Sequence, residues 1–448
     1  MDTSETPRAA TPHKARRHLL INHQFALLWT GQTISIFGDY IFNTTLIVWI
    51  AIVLTRGQSW TPLAVSGIFL VSSLATIVLG PVAGVLVDHW NKRLALAWAS
   101  FLPAACLALL LLQISYLPSR QIGLFWQLVL LYLVVFLLTI CTQIARPAWL
   151  ALTGQIVAQQ EQAQAMGLDQ ASSSLSMLIG PALAPPLLLA FGPKWALLID
   201  LLSFLISTLT ILLIRTPQNE RDQSKTQHAS FLIELRIGVT FLFKNALLQT
   251  LLILSVIAWL GGGILAALDI FFVIHNLHTP PALYGFLDAA LGVGTILGAL
   301  LAGALGERIG LMRLLWGSTL TLGTLLLIYA RLTSFAPALI VIFFAGIPFA
   351  AISVVSGPLL LRAIPQELLG RVSSLFNLCS TLALLLGSMI AGALDSALTG
   401  HFHSVVLGLT FGPVDTLFLS AGLLLLISGF YAMLSLRHVD AHASPSES

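Results

Sequence analysis

Twelve long apolar stretches separated by short polar breaks make up almost the whole chain. A helix rises 1.5 Å per residue, so a hydrocarbon layer about 30 Å thick takes about 20 apolar residues to cross. Cutting at charges, prolines and polar clusters predicts spans over roughly 25–54, 63–88, 94–115, 122–150, 164–191 and 195–214, then 247–275, 282–306, 312–332, 335–361, 371–398 and 413–436. The one long polar break, "RTPQNERDQSKTQHASFLIELR" from Arg215 to Arg236, divides the chain into nearly equal halves. The pattern predicts an all-α membrane protein with twelve transmembrane helices in two pseudo-symmetric six-helix bundles. Its parts are a polar tail (1–24), a first bundle (25–214), a linker (215–246), a second bundle (247–436) and a second tail (437–448). The linker ends in "FLIELRIGVTFLFKN", whose helical spacing of apolar residues predicts an amphipathic helix lying on the membrane surface.

Composition agrees with lipid as the solvent. Hydrophobic residues are 57% of the chain and charged ones 9%, whereas a soluble chain is about a quarter charged. A net charge of +3 carries no nucleic-acid signal. Cys106, Cys141 and Cys379 lie in apolar runs without metal or disulfide spacing, so they are expected to be small buried hydrophobes. The polar start and the length of the first apolar run argue against a cleaved signal peptide. With the N-terminus inside, sixteen of the 21 Lys and Arg fall on the cytoplasmic side. Only Arg56, Arg120, Lys194 and Arg331 fall outside. The positive-inside rule then predicts a multi-pass protein of the cytoplasmic membrane with both termini in the cytoplasm.

The halves repeat each other in the same order. "GVLVDHWNKR" (Gly84 to Arg93) has the layout of "GALGERIGLMR" (Gly303 to Arg313), and "LIGPALAP" from Leu178 corresponds to "LLGSMIAG" from Leu385. Parallel six-helix repeats suit a carrier that rocks about a midplane site. The first of these motifs also resembles the loop 2–3 signature of the major facilitator superfamily. "FALLWTGQTISIFGDYIF" from Phe25 and "RAIPQELLGRVSSL" from Arg362 are similar to its bacterial exporter branch, which includes macrolide and enterobactin efflux proteins. The resemblance spans nearly the whole chain and implies alternating-access transport of a small molecule, with a lipid bilayer as surroundings and no cofactor.

Several residues are candidates for that chemistry. Counted along its span, Asp39 lies about 18 Å in, near the bilayer centre. A carboxylate there costs several kcal/mol unless it faces water or takes up a proton, so Asp39 is the candidate for proton coupling. Asn43, one turn on, is placed to hydrogen-bond it. Asp88, Lys92, Arg93 and Arg146 are expected to form an inner latch, with Gly84 admitting a neighbouring helix. Glu307, Arg308, Arg362 and Arg371 supply the same materials in the second half. Gly180 and Pro181 match the antiporter motif of fifth spans and predict a helix bend, although Pro185-Pro186 replace its usual glycine pair.

If the superfamily arrangement holds, the first, fourth, seventh and tenth spans line the cavity. They offer Asn43, Thr44, Gln143, Trp259, Phe343, Phe344 and Phe349, an apolar, aromatic surface for an amphiphile. Gly285, Gly292, Gly294 and Gly298 in the eighth span predict close helix contacts. Walker, GxSxG, HExxH and paired-carboxylate signatures are absent from the sequence, so neither enzyme chemistry nor a metal is expected. The expected activity is proton-coupled efflux of a hydrophobic or amphiphilic compound by a monomer. An importer, a uniporter and a non-transporting sensor are the alternatives.

Overall fold

The protein is described here by a computed structural model covering residues 21–116, 123–215, 239–365, 368–398, 404–406 and 409–442. The tails 1–20 and 443–448 and residues 216–238 of the linker lie outside the described residues, and so does the side chain of Asp88. The expected amphipathic helix falls mostly in that linker, of which residues 239–244 form a helical turn.

Among the described residues, twelve helices are long and apolar enough to cross a membrane. The first bundle comprises α1 (His23–Trp49, continued by a π-helical turn Ile50–Leu54), α2 (Thr61–His89), α3 (Lys92–Tyr116), α4 (Leu124–Ile156), α5 (Gln162–Phe191) and α6 (Pro193–Leu213). The second comprises α7 (Ala246–His275), α8 (Tyr284–Ile309), α9 (Leu311–Tyr329), α10 (Phe335–Ala363), α11 (Leu369–Leu398) and α12 (Pro413–His442). A small antiparallel hairpin, β1 (Ser404–Val406) and β2 (Leu409–Phe411), precedes α12. Successive helices alternate in direction. The face where α1 begins and α12 ends is called near, and the opposite one far.

Local chemistry sets the helix starts. Asn22 Oδ1 accepts from the Phe25 amide at 2.8 Å and caps α1. Its Nδ2 donates to the Ile156 carbonyl at 2.7 Å, which explains why α4 runs past its expected end through Thr153, Gly154 and Gln155. The repeated loop motif turns in two different ways. Asn91 Oδ1 caps α3 by accepting from the amides of Arg93 and Leu94, while Gly310 leaves α8 at φ +88°, a conformation that favours glycine.

Packing follows the repeat. In the first bundle α1 lies on α5 and α6, α3 on α4 and α6, and α2 on α4. Each pairing recurs six helices later. Lipid tails are as apolar as the side chains, so association depends on small residues that let backbones approach. A Cβ added at Gly294 would sit 2.0 Å from the Phe343 carbonyl oxygen, and one at Gly346 would sit 2.5 Å from that of Leu291. These two positions lock α8 to α10.

Candidate functional site

The bundles meet along two seams, α2 against α11 and α5 against α8. Both seams lie in the far half. Ser66 Oγ donates to the Ser388 carbonyl at 2.7 Å, and the Leu63 amide donates to Ser396 Oγ at 3.2 Å. On the other seam Gly285 lies so close to α5 that a Cβ there would be 1.7 Å from the Pro181 carbonyl oxygen. The buried apolar side chains tell the same story. In the far half one cluster draws on both bundles, from Phe42, Leu131 and Leu188 to Phe272, Leu287 and Phe418. In the near half it is replaced by separate clusters, one around Leu28, Leu96 and Trp149 and another around Leu251, Leu315 and Val355. The protein is closed on the far side and parted on the near side.

A cavity of about 460 Å³ lies between the bundles on the near side of the seams. Ser73 and Thr76 of α2, Ser255 and Trp259 of α7, Ser356 of α10 and Asn377 of α11 are among its walls. No charged side chain lines it. Gln143 donates to Thr76 Oγ1 at 3.2 Å and so holds one wall from behind. Of the residues expected to line a cavity, Trp259 does so. Asn43, Thr44, Phe343, Phe344 and Phe349 are not among these walls, which come from α2 and α11 where α1 and α4 had been expected. The missed signal was hydroxyls and one amide at helical spacing in greasy spans: Ser72, Ser73 and Thr76, then Asn377, Ser380 and Thr381.

Asp39 is part-exposed on α1, beside the α1–α6 contact. Its neighbour Gly38 faces Asp200 and Ser203 of α6, and a Cβ there would be 2.6 Å from Asp200 Oδ1. Among the described residues no hydrogen bond joins Asp39 to Asn43, which is exposed. Depth counted along single helices does not show that packing brings Asp39 and Asp200 together. On the other side of α1, Tyr40 packs on Gly180 of α5. The sequence predicted a bend at Gly180-Pro181. The structure keeps α5 helical through all three prolines and uses Gly180 for α1 and the Pro181 carbonyl for α8.

Of the residues expected to form the near-face latch, Arg146 and Arg93 have these partners. Arg146 pairs with Asp169 of α5 at 3.2 Å and lies over the Trp149 ring at 5.4 Å. Arg93 donates from Nε to the Ile211 carbonyl at 3.2 Å and from Nη2 to that of Leu212, satisfying the last turn of α6. Gly84 admits no helix, since a Cβ there would meet nothing within 4 Å. The same is true of Gly303, its counterpart, because the near ends of α2 and α8 stand apart from the other bundle. Glu307, Arg308 and Arg362 are exposed at helix ends, while Lys92 and the part-buried Arg371 begin α3 and lie in the first turn of α11. The three cysteines are free, Cys141 buried and the other two half-buried.

At the far end of the second bundle, Tyr329 donates to Asp269 Oδ1 at 2.7 Å within a Phe272–Tyr329–Phe418 cluster. Asp415 there pairs with Arg331 at 3.6 Å and accepts from Asn276. These contacts tie α7, α9 and α12 together, a structural task for acids placed near that edge.

Comparison with known proteins fits this architecture. The family described as transmembrane secretion effector matches residues 18–447. Macrolide efflux protein A of Streptococcus pyogenes is 25% identical over 382 residues, which cover 85% of this chain and 91% of the relative. Its namesake from Enterococcus faecalis is 26% identical over 320 residues, covering 71% and 97%. Among solved structures, the nucleoside transporter NupG has a TM-score of 0.70 at 12% identity, covering 93% of this chain and 100% of the other. A bacterial homologue of the lysosomal transporter Spinster, inward-facing and unoccupied, has 0.68 at 14%, covering 95% and 100%. At such identities these two likenesses speak for the fold. The chain belongs to the transmembrane secretion effector family of the major facilitator superfamily, and is a membrane transporter rather than an enzyme.

Proposed function

We propose that this transporter is a proton-driven efflux carrier that moves a small, uncharged amphiphile out across a bacterial cytoplasmic membrane. A macrolide-like lactone or a siderophore-like compound has that character. The observation that carries this reading is the cavity between the bundles, reachable from the near face while both far seams are shut. The excess of lysine and arginine assigns the near face to the cytoplasm, so the protein is poised to load from inside. Its wall of hydroxyls and one amide, with Trp259 and Phe376 beside them, suits ether, hydroxyl and carbonyl oxygens on an apolar frame. The names of the macrolide-efflux relatives agree with such a cargo.

Without a nucleotide site in the sequence, energy has to come from an ion gradient. Asp39 takes the proton in this scheme, because a carboxylate deep in a span is stable only when it meets water or is neutralised. When the bundles rock, the far seams open and the near ends close. Gly84 and Gly303 then gain the neighbours they lack here, and Asp88, Lys92, Glu307, Arg308, Arg362 and Arg371 come together as the near-face latch. One chain holds the whole pathway, so a monomer suffices.

The test uses inside-out vesicles with an acidified interior. Adding a macrolide should dissipate the pH gradient as protons leave in exchange. Dissipation that does not depend on the transporter, or drug uptake by whole cells instead, overturns the efflux reading.

A further inference from the structure

The first bundle carries few charges inside its helices. Between the end residues, α1 has Asp39, α2 has Asp88, α3 has Arg93, α4 has Arg146, α5 has Asp169 and α6 has Lys194 near its start and then Asp200. Arg146 is taken by Asp169, and Arg93 by the carbonyl ends of α6. Among the described residues no ion pair joins a cation to Asp39 or Asp200, which lie side by side. Asp200 is fully buried. Ser203 donates to its Oδ1 at 3.3 Å, while Oδ2 is buried with no hydrogen-bond partner. Its carboxyl lies against Gly38, one residue from Asp39, and the two charges act on each other.

Among the described residues, the helices packed on α1 and α6 offer no cation beside them. Tyr40, next to Asp39 in α1, is a further titratable side chain, and Asp288 of α8 acts on it across the bundle boundary. On α5, Ser173 lies near Tyr40. On α3, which also packs on α6, Ser100 meets Ser207, and no charged residue lies between Arg93 and Tyr116. A dry carboxylate oxygen without donor or cation is tolerable only as the neutral acid.

We propose that the proton site is a pair of carboxyl groups, in which buried Asp200 stores a proton in the near-open state and part-exposed Asp39, set apart from the cavity walls, exchanges protons with water. The inference rests on the proton-coupled reading above and adds a residue to it. Asp39 is part-exposed and Asp200 fully buried, so one member can trade protons while the other holds its own. Asp200 gives its proton to an empty Asp39 only once the bundles have rocked and water reaches the pair, so no carboxylate is left ionised in a dry site.

The experiment is gradient-driven transport and drug–drug exchange in proteoliposomes, with a pH profile for each, using the full chain. Asp200→Asn should lose gradient-driven transport but keep exchange, and the pH midpoint of exchange should move by about one unit because a like charge is gone. Ser203→Ala removes only the hydroxyl, so it keeps the test alive if Asp200→Asn does not fold; it should move the same midpoint. Wild-type transport and pH profile in Asp200→Asn, or in Ser203→Ala if that alone folds, overturn the inference. If Asp39→Asn is silent too, or a sodium gradient drives wild type at fixed pH, the coupling reading itself falls. Loss in Asp39→Asn with a silent Asp200→Asn removes only the second carboxyl.

Discussion

Replacing Gly285 with alanine would put a methyl carbon 1.7 Å from the Pro181 carbonyl oxygen, 2.4 Å from its carbon and 3.0 Å from the Ala182 nitrogen. All three are backbone atoms of α5, so no side chain can rotate away. Carbon and carbonyl oxygen rest about 3.3 Å apart, so the seam must widen by roughly 1.5 Å. Overpacking of this kind costs about 1–3 kcal/mol. The contact exists only while the far side is shut, so the cost falls on that state alone. At about 2 kcal/mol the balance moves about 30-fold toward the far-open state. Gly292→Ala is the control, since its Cβ would lie 3.6 Å from Leu178 Cα, an ordinary contact. The assay is reaction of a single cysteine with an impermeant maleimide in inside-out vesicles, after the three native cysteines are replaced. Gly84→Cys, open on the near face here, should react several-fold more slowly in the Gly285→Ala background and normally with Gly292→Ala. Equal rates in both, with equal folded yield, would refute the assignment of α5–α8 as a far-side gate.

The remaining predictions separate fold from function. Gly294→Ala puts a Cβ 2.0 Å from the Phe343 carbonyl inside one bundle, so it should lower thermal stability by about 1–3 kcal/mol without favouring either side of the gate. A thermal melt of the purified protein reads this. Arg146→Gln strands Asp169, whose side chain is 9% exposed, while Arg146 is 68% exposed and already screened. The loss should therefore stay near 1 kcal/mol in the same melt, and adding Asp169→Asn should recover part of it. Trp259→Ala removes an aromatic wall from the cavity and should weaken drug binding about tenfold, with unchanged melting. Binding by calorimetry checks it.

Much of the fold could be read from periodicity and charge. The twelve spans appear within a few residues of their expected limits at most ends, because each is dictated by local apolarity. The departures have local causes that cutting at polar residues cannot see: Asn22 holds the polar end of α4 in a helix, and α12 continues past Leu436's position into the expected tail as far as His442. The site was less legible. Arg146 and Asp169 are both plain in the sequence, yet only packing of α4 near α5 pairs them. Depth counting treated helices as parallel rulers, so it missed that Gly38 brings Asp200 beside Asp39. The open surroundings of Gly84 belong to one conformation, and a sequence encodes at least two.

The central claim is that a proton gradient drives drug movement through Asp39. The most direct measurement is drug accumulation in proteoliposomes with an imposed pH gradient, wild type beside Asp39→Asn. Wild type should accumulate drug when the lumen is acidic and lose it when the gradient is reversed, while Asp39→Asn does neither yet still exchanges bound drug. Accumulation that ignores the gradient, or an Asp39→Asn protein that follows it as wild type does, would contradict the account.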